Sequence, residues 1–337
     1  MVSGTAGSTV TIGSRGCCRG LGPIHTDLHR ATGERSWSVP RNVRQRPGGC
    51  GSEFAGQWNA LIAHGLPSVE PAVTTADDGK GFHFMATLAI DGVEIYYEQH
   101  GTGDEVLLVH GAAASGRWFG ELIPRLAAHY RVIVPDLRGL GRSQRVAPLT
   151  RPQTWVADLW RLLDELGLDR VHVAGVSLGS RIAGRLALEN AARVRTLTVD
   201  APIVGLSVSG NASLNTVFTT VDPDSAQAEE WRQLHGADWR DAVDFYAKTR
   251  GTAEFQEYYT LRPNLTKITV PTLVCRGDLD DAIHPVDDAF IWHKQAPDTQ
   301  LFIAPGLTQS SVMLERAEQF VTEFVAFQQR CAADPDA

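Results

Sequence analysis

The chain has 337 residues, of which 43% are hydrophobic and 21% charged, and it carries a formal net charge of −8 at pH 7. This composition is typical of a globular protein with room for two average domains or one large α/β domain. The moderate negative charge argues against nucleic-acid binding as the main task. No apolar run approaches the length of a membrane-spanning helix, so we expect no membrane partner.

The cysteines are odd in number and lack the spacing of a metal site; they are Cys17, Cys18, Cys50, Cys275 and Cys331. This usage favours a reducing compartment. Because the N-terminus also lacks the apolar stretch of a secretory signal, we expect a cytoplasmic protein. We expect no metal and no organic cofactor, and the sequence leaves the oligomeric state open.

Residues 1–84 do not show the pattern of a folded domain. They are rich in Gly, Ser, Thr, Pro and Arg and have no sustained period of 2 or 3.6. We expect a disordered tail, or an extension upstream of a natural start at Met85. The alternative is a basic targeting arm, because residues 1–60 carry seven arginines against three acidic residues.

From Met85 onward, apolar runs alternate with helical patterns. A hairpin with an Asp91-Gly92 turn comes first. The predicted buried strands that follow are 105–109, 131–135, 171–174, 194–199, 269–276 and 299–304. The predicted helices are 118–128, 153–166, 180–188, 286–295 and 314–328. This alternation predicts an α/β fold with a mostly parallel, doubly wound sheet. Between about 201 and 265 the strands stop, which indicates a small helical cap.

The pentapeptide Gly175-Val176-Ser177-Leu178-Gly179 stands between a predicted strand and a predicted helix. In that context G-x-S-x-G is typical of a nucleophile elbow, a tight turn that exposes the serine hydroxyl above the sheet. The flanking glycines remove Cβ atoms that would collide in the turn. The Leu178 N–H is then free to donate a hydrogen bond to an oxyanion.

Residues 85–331 resemble the α/β-hydrolase fold, with a cap insertion at about 201–265. The motifs that carry the resemblance are VLLVHGAAAS (106–115), VIVPDLRGLGRS (132–143), GVSLG (175–179), PTLVCRGDLDD (271–281) and PGLTQSSVMLER (305–316). A serine at the elbow, rather than an aspartate, disfavours the dehalogenase and epoxide-hydrolase branches.

The resemblance implies roles for individual residues. Ser177 would be the nucleophile, and the N–H groups of Ala112 and Leu178 would form the oxyanion hole. Gly111 and Trp118 would lie at the substrate pocket. The triad acid would follow the glycine that ends a strand by three residues, so Gly277 points to Asp280. The neighbouring Asp278 and Asp281 are then expected to be solvated loop carboxylates, and His110 is expected to position its loop.

The triad histidine would follow the last strand, but Gln309 occupies the expected position, and no histidine occurs after His293. A glutamine amide cannot accept the proton of a serine hydroxyl. Three hypotheses remain open. The chain is a serine hydrolase with a substitute base, for which His284 is the candidate. Alternatively, it is a non-hydrolytic protein, either a ligand-binding pseudoenzyme or a lyase- or cyclase-type catalyst that uses the oxyanion pocket. The third hypothesis is a hydrolase inactivated by mutation.

The preferred class is a serine hydrolase acting on an ester-like or other acyl bond of a small molecule, and His284 can equally be an ordinary exposed loop histidine. Its activity is expected to be impaired if no side chain replaces the missing histidine.

Overall fold

The structure is a computed structural model that describes residues 83–219 and 221–333. In this part of the chain, eight strands form one sheet in the order β1-β2-β4-β3-β5-β6-β7-β8. The strands are β1 His83–Ile90, β2 Val93–His100, β3 Glu105–Val109, β4 Arg131–Pro135, β5 Val171–Val176, β6 Val194–Asp200, β7 Thr272–Gly277 and β8 Thr299–Ala304. The β1–β2 and β2–β4 pairs are antiparallel, and the pairs from β4 to β8 are parallel. The prediction of a mostly parallel sheet is confirmed.

The predicted hairpin is the first element described. Asp91 and Gly92 connect its strands with φ angles of 49° and 75°, the left-handed geometry that a two-residue hairpin turn requires. Strand β1 begins at His83, two residues before Met85. The prediction of a disordered or extraneous segment over 1–84 lies outside the described residues, apart from its last two positions.

The helices are α1 Leu122–Ala127, α2 Thr154–Glu165, α3 Leu178–Glu189, α4 Val208–Thr219, α5 Ala226–His235, α6 Trp239–Arg250, α7 Ala253–Tyr258, α8 Val286–Gln295, α9 Val312–Glu315 and α10 Ala317–Ala333. Two predicted helices are interrupted. The segment 118–128 is a 3₁₀ turn and then α1, because Gly120 between them has a left-handed φ of 36°. The C-terminal helix is divided at Arg316 into α9 and α10.

Each face of the sheet is covered by its own apolar core. On β3, Leu107 and Val109 pack into one core, whereas Val106 and Leu108 pack into the other. Such alternation arises because successive side chains of a strand point to opposite faces. All four side chains are fully buried, as expected for a strand in the middle of a doubly covered sheet.

Between β6 and β7 the chain forms α4 to α7 and a 3₁₀ segment at Arg262–Lys267 instead of strands. This insertion coincides with the cap predicted at about 201–265. None of the helices in the described residues is long and apolar enough to cross a membrane. Since β3, β5, β7 and β8 run parallel, the segments that follow them meet at one edge of the sheet.

Candidate active site

Ser177 occupies the turn between β5 and α3. Its φ of 55° and ψ of −115° are unusual for a residue with a Cβ atom, and such strain costs about 1–3 kcal/mol. A Cβ atom at Gly175 would lie 2.2 Å from the carbonyl oxygen of Gly179, and one at Gly179 would lie 2.1 Å from that of Val109. Both glycines are therefore required by close backbone contacts, as the pentapeptide pattern predicted.

The hydroxyl of Ser177 contacts a histidine from another loop. Ser177 Oγ lies 2.9 Å from His284 Nε2, a normal hydrogen-bond distance. His284 belongs to the loop between β7 and α8, and its side chain is 17% exposed. The structure thus brings together the predicted nucleophile and the candidate substitute base, which are 107 residues apart in the sequence.

Asp281 is the carboxylate beside this histidine. Its Oδ1 accepts hydrogen bonds from the backbone N–H groups of Ile283 and His284 at 2.9 and 2.8 Å, and it lies 3.5 Å from His284 Nδ1. Its Oδ2 accepts a hydrogen bond from the Ser310 hydroxyl at 2.9 Å. Burial opposes ionisation, but the hydrogen bonds from His284 outweigh it and lower the pKa of Asp281 below its usual range. Asp281 is therefore an anion at neutral pH.

Asp280, the acid that the resemblance indicated, faces a different partner. Its Oδ1 accepts the N–H of Val286 at 2.8 Å, at the first residue of α8, and its side chain is exposed. Asp278, in turn, accepts hydrogen bonds from the N–H groups of Gly306 and Leu307. The role expected for Asp280 does not agree with this geometry, because the neighbouring residue, Asp281, occupies the position beside the imidazole.

Gln309 lies in the loop after β8, as the motif alignment indicated, and it is exposed. Its backbone N–H donates a hydrogen bond to Glu315 at 3.0 Å. The next residue, Ser310, reaches the site through its hydrogen bond to Asp281. The loop that would carry the family's histidine therefore contributes a hydroxyl that holds the carboxylate.

Arg276, at the end of β7, fixes the loop that carries His284. Its fully buried guanidinium donates hydrogen bonds to carbonyl oxygens of both loops. At the end of β7 and in its loop the acceptors are Gly277 at 2.9 Å, Leu279 at 2.6 Å and His284. In the β8 loop the acceptor is Ser310 at 3.1 Å. Burial lowers the pKa of Arg276, and nearby carboxylates, first among them Asp281, oppose that shift. The Arg276 guanidinium thus links the β7 loop, which carries Asp281 and His284, to the β8 loop, which carries Ser310. Sequence reasoning missed Arg276; the available signal was a charged residue at the end of a buried strand.

The predicted oxyanion residues lie on two adjoining segments. Leu178 is the first residue of α3, and Ala112 follows β3 in the loop that begins at His110. The segments are in close contact, because a Cβ atom at Gly179 would lie 2.8 Å from the carbonyl oxygen of His110. The side chain of Trp118 covers Gly111, because a Cβ atom added at Gly111 would lie 2.6 Å from the indole ring.

His110 and His235 hold this loop in place. His110 is fully buried; its Nδ1 lies 2.9 Å from the carbonyl oxygen of Gly111, and its Nε2 accepts the N–H of Leu137 at 3.0 Å. His235, at the end of α5 in the cap, accepts the N–H of Gly141 on Nδ1 and bonds the carbonyl oxygen of Ala113 through Nε2, both at 2.9 Å. Burial lowers the pKa of His235 to about 4, so it is neutral at pH 7. The cap is therefore attached directly to the loop of Gly111 and Ala112.

The site is thus a serine on a strand-to-helix turn, paired with a histidine, at the carboxyl edge of a mostly parallel sheet. A family model described as alpha/beta hydrolase fold matches residues 105–234. The solved structure of a hydrolase from Pseudomonas aeruginosa PA01 superposes with a TM-score of 0.61 at 21% identity, covering 72% of this chain and 98% of that one. These findings show that the chain has the α/β-hydrolase fold.

Curated relatives extend this result. The pimeloyl-[acyl-carrier protein] methyl ester esterase of Legionella pneumophila is 27% identical over 68% of this chain and 100% of its own length. The soluble epoxide hydrolase of a Corynebacterium strain is 34% identical over 36% of this chain and 43% of its own length. This chain spans less than half the length of that relative and of several others. Together, the fold and these relatives support a hydrolase-type function.

Proposed function

We propose that the protein is a serine hydrolase that cleaves an ester-like or other acyl bond of a small molecule. Ser177 is the nucleophile, His284 the general base and Asp281 the carboxylate that orients the imidazole. The 2.9 Å contact between Ser177 Oγ and His284 Nε2 carries this proposal. Because His284 supplies an imidazole from the β7 loop, Gln309 does not leave the site without a base.

The reaction begins with proton transfer from Ser177 to His284. A serine hydroxyl attacks a carbonyl carbon efficiently only if a base accepts its proton during the attack. Asp281 beside Nδ1 favours the tautomer with the proton on Nδ1, which leaves Nε2 free to accept the hydroxyl proton. The same carboxylate then stabilises the imidazolium that forms.

The negative charge of the tetrahedral intermediate develops on the former carbonyl oxygen. The N–H groups of Ala112 and Leu178 donate hydrogen bonds to this oxygen. Removing one such donor typically lowers kcat about 10²- to 10³-fold. The imidazolium next gives its proton to the departing alcohol as the bond from carbon to the leaving oxygen breaks. Water, deprotonated by His284, then attacks the acyl carbon. As the bond from that carbon to Ser177 Oγ breaks, His284 returns the proton to Oγ and the acid is released.

Hydrolysis of p-nitrophenyl butyrate tests the proposal with purified wild-type protein and substitutions. We expect Ser177→Ala and His284→Ala to lower kcat about 10⁴- to 10⁶-fold, as loss of a triad member does in other serine enzymes. His284→Gln is the matched control for size and hydrogen bonding, and we expect it to be equally inactive. Circular dichroism of each variant separates loss of chemistry from loss of fold.

Gln309→His distinguishes this proposal from the inactivated-enzyme hypothesis. Since His284 already contacts Ser177, we expect no gain in turnover from a second imidazole in the exposed β8 loop. A wild-type rate equal to that of Ser177→Ala, with a gain in Gln309→His, would contradict the role of His284. A functional role would then have to be sought in ligand binding or in non-hydrolytic use of the oxyanion pocket.

A further inference from the structure

Two histidines and a glutamate converge on one face of the β1–β2 hairpin, outside the candidate active site. His83 is paired with His100 across the hairpin, and Glu98 is two residues before His100 on the same strand. Since side chains alternate along a strand, His100 and Glu98 point to the same face as the directly opposite His83. One ligand atom from each residue lies within 4.8 Å of the other two.

The distances among these atoms match those around a small metal ion. His100 Nε2 lies 2.8 Å from Glu98 Oε2, and His83 Nε2 lies 3.8 Å from the same oxygen. Zinc bonds of 2.0–2.2 Å in tetrahedral geometry separate neighbouring ligand atoms by about 3.3–3.5 Å. The two observed distances bracket that range.

Both imidazole rings must turn before they can bind one ion. The two imidazole rings stack with their centroids 4.2 Å apart and their planes at 17°, so their nitrogen atoms lie side by side rather than aimed at one point. The His83 side chain is 32% exposed and belongs to the first residue of β1. The ion would replace the hydrogen bond between His100 and Glu98.

The surroundings hold Glu98 as an oriented anion. Its other oxygen, Oε1, accepts a hydrogen bond from the Tyr96 hydroxyl at 3.1 Å and forms an ion pair with Arg142. Arg142 is also paired with the fully buried Asp136 at 2.8 Å, so the local charge without a metal is negative. Partners of this kind orient a ligating carboxylate and strengthen metal sites.

We propose that His83, Glu98 and His100 form a zinc site, with water completing a tetrahedral coordination shell. Two imidazoles and one carboxylate are a donor set that Zn²⁺ favours. The ion would join the first residue of β1 to the last residue of β2 and so fasten the edge of the sheet. The site is separate from Ser177, His284 and Asp281, and the proposal does not depend on hydrolase activity.

Zinc titration of the full-length protein, dialysed against a chelator, tests the proposal. We expect isothermal titration calorimetry at pH 7.5 to show a Zn²⁺ site whose affinity falls at least about 100-fold in His83→Ala and in His100→Ala. Glu98→Gln, which keeps the shape of the side chain, should weaken binding in the same way. His129→Ala is the matched control, because His129 is an exposed histidine outside the cluster. It should bind as wild type does.

Cobalt substitution identifies the donor atoms, which matters because Cys17, Cys18 and Cys50 are also potential metal ligands. We expect visible d–d bands without thiolate-to-cobalt charge transfer, and loss of these bands in His83→Ala. Wild-type zinc affinity in folded His83→Ala, His100→Ala and Glu98→Gln would overturn the proposal. A wild-type protein that binds no zinc would overturn it as well.

Discussion

Replacing Asp281 by Asn separates the carboxylate that contacts the imidazole from its neighbour in the sequence. The substitution preserves the size of the side chain and one acceptor oxygen while removing the negative charge. Asp280→Asn is the matched control, since the Asp280 carboxylate accepts the N–H of Val286 at the start of α8. The two variants therefore differ in whether the lost charge stood beside His284, the proposed base.

The expected loss follows from the distance between the charges. At 3.5 Å a carboxylate and an imidazolium attract by about 5 kcal/mol at an effective dielectric constant of 20, and by about 1 kcal/mol in water. The two side chains are 34% and 17% exposed, so solvent screens part of this energy. We take about 2–4 kcal/mol, which corresponds to a fall in kcat of about 30- to 1,000-fold for Asp281→Asn.

The assay is steady-state hydrolysis of p-nitrophenyl butyrate, with kcat and KM measured for both variants. We expect Asp280→Asn to keep kcat within about threefold of wild type, because its lost charge does not act on the reaction. If Asp280→Asn is the slower variant, or if Asp281→Asn retains wild-type kcat, the assignment of the acid from geometry is refuted.

Three further predictions concern the framework of the site. Arg276→Lys should lower kcat about 10- to 100-fold with little change in KM, since an ammonium cannot reproduce the fork of hydrogen bonds that fixes the His284 loop; an unchanged kcat would contradict this. Gly179→Ala should destabilise the fold by at least about 3 kcal/mol in urea unfolding, because its Cβ atom would lie 2.1 Å from the carbonyl oxygen of Val109. His235 has a folded-state pKa of about 4, lowered by burial from an ordinary value of 6.5. The unfolded chain therefore binds the proton more tightly, and stability falls as the pH drops from 6.5 towards 4. Between pH 7.5 and 5.0 wild type should lose about 2 kcal/mol more than His235→Gln, and equal losses would rule out this role.

Much of the fold was predictable because its signals are local. Five of the six predicted buried strands correspond to observed strands within about two residues, since a buried strand is a short apolar run between turn residues. The sixth strand, β7, was predicted to start at residue 269 but begins three residues later, at Thr272. The elbow could be predicted for the same reason. Its two glycines are needed because a Cβ atom at either position would collide with backbone atoms of the pentapeptide or of β3.

The partners of Ser177 were harder to predict because loop conformation decides them. Asp280 and Asp281 are adjacent and chemically identical, so spacing alone could not select between them. The structure favours Asp281 because Arg276 and Ser310 hold the loop from both sides. The position of Gln309 followed from the resemblance, whereas the proximity of His284 to Ser177 depends on contacts far apart in the sequence.

The role of His284 as the base that activates Ser177 is the central claim, and the rate of covalent labelling by a fluorophosphonate tests it most directly. This reagent modifies activated serines whatever the natural substrate, and intact-protein mass spectrometry counts the adducts. We predict one adduct on wild type, none at that site on Ser177→Ala, and labelling of His284→Gln slowed at least about 10³-fold. Labelling of His284→Gln at the wild-type rate, or no labelling of wild type, would contradict the account.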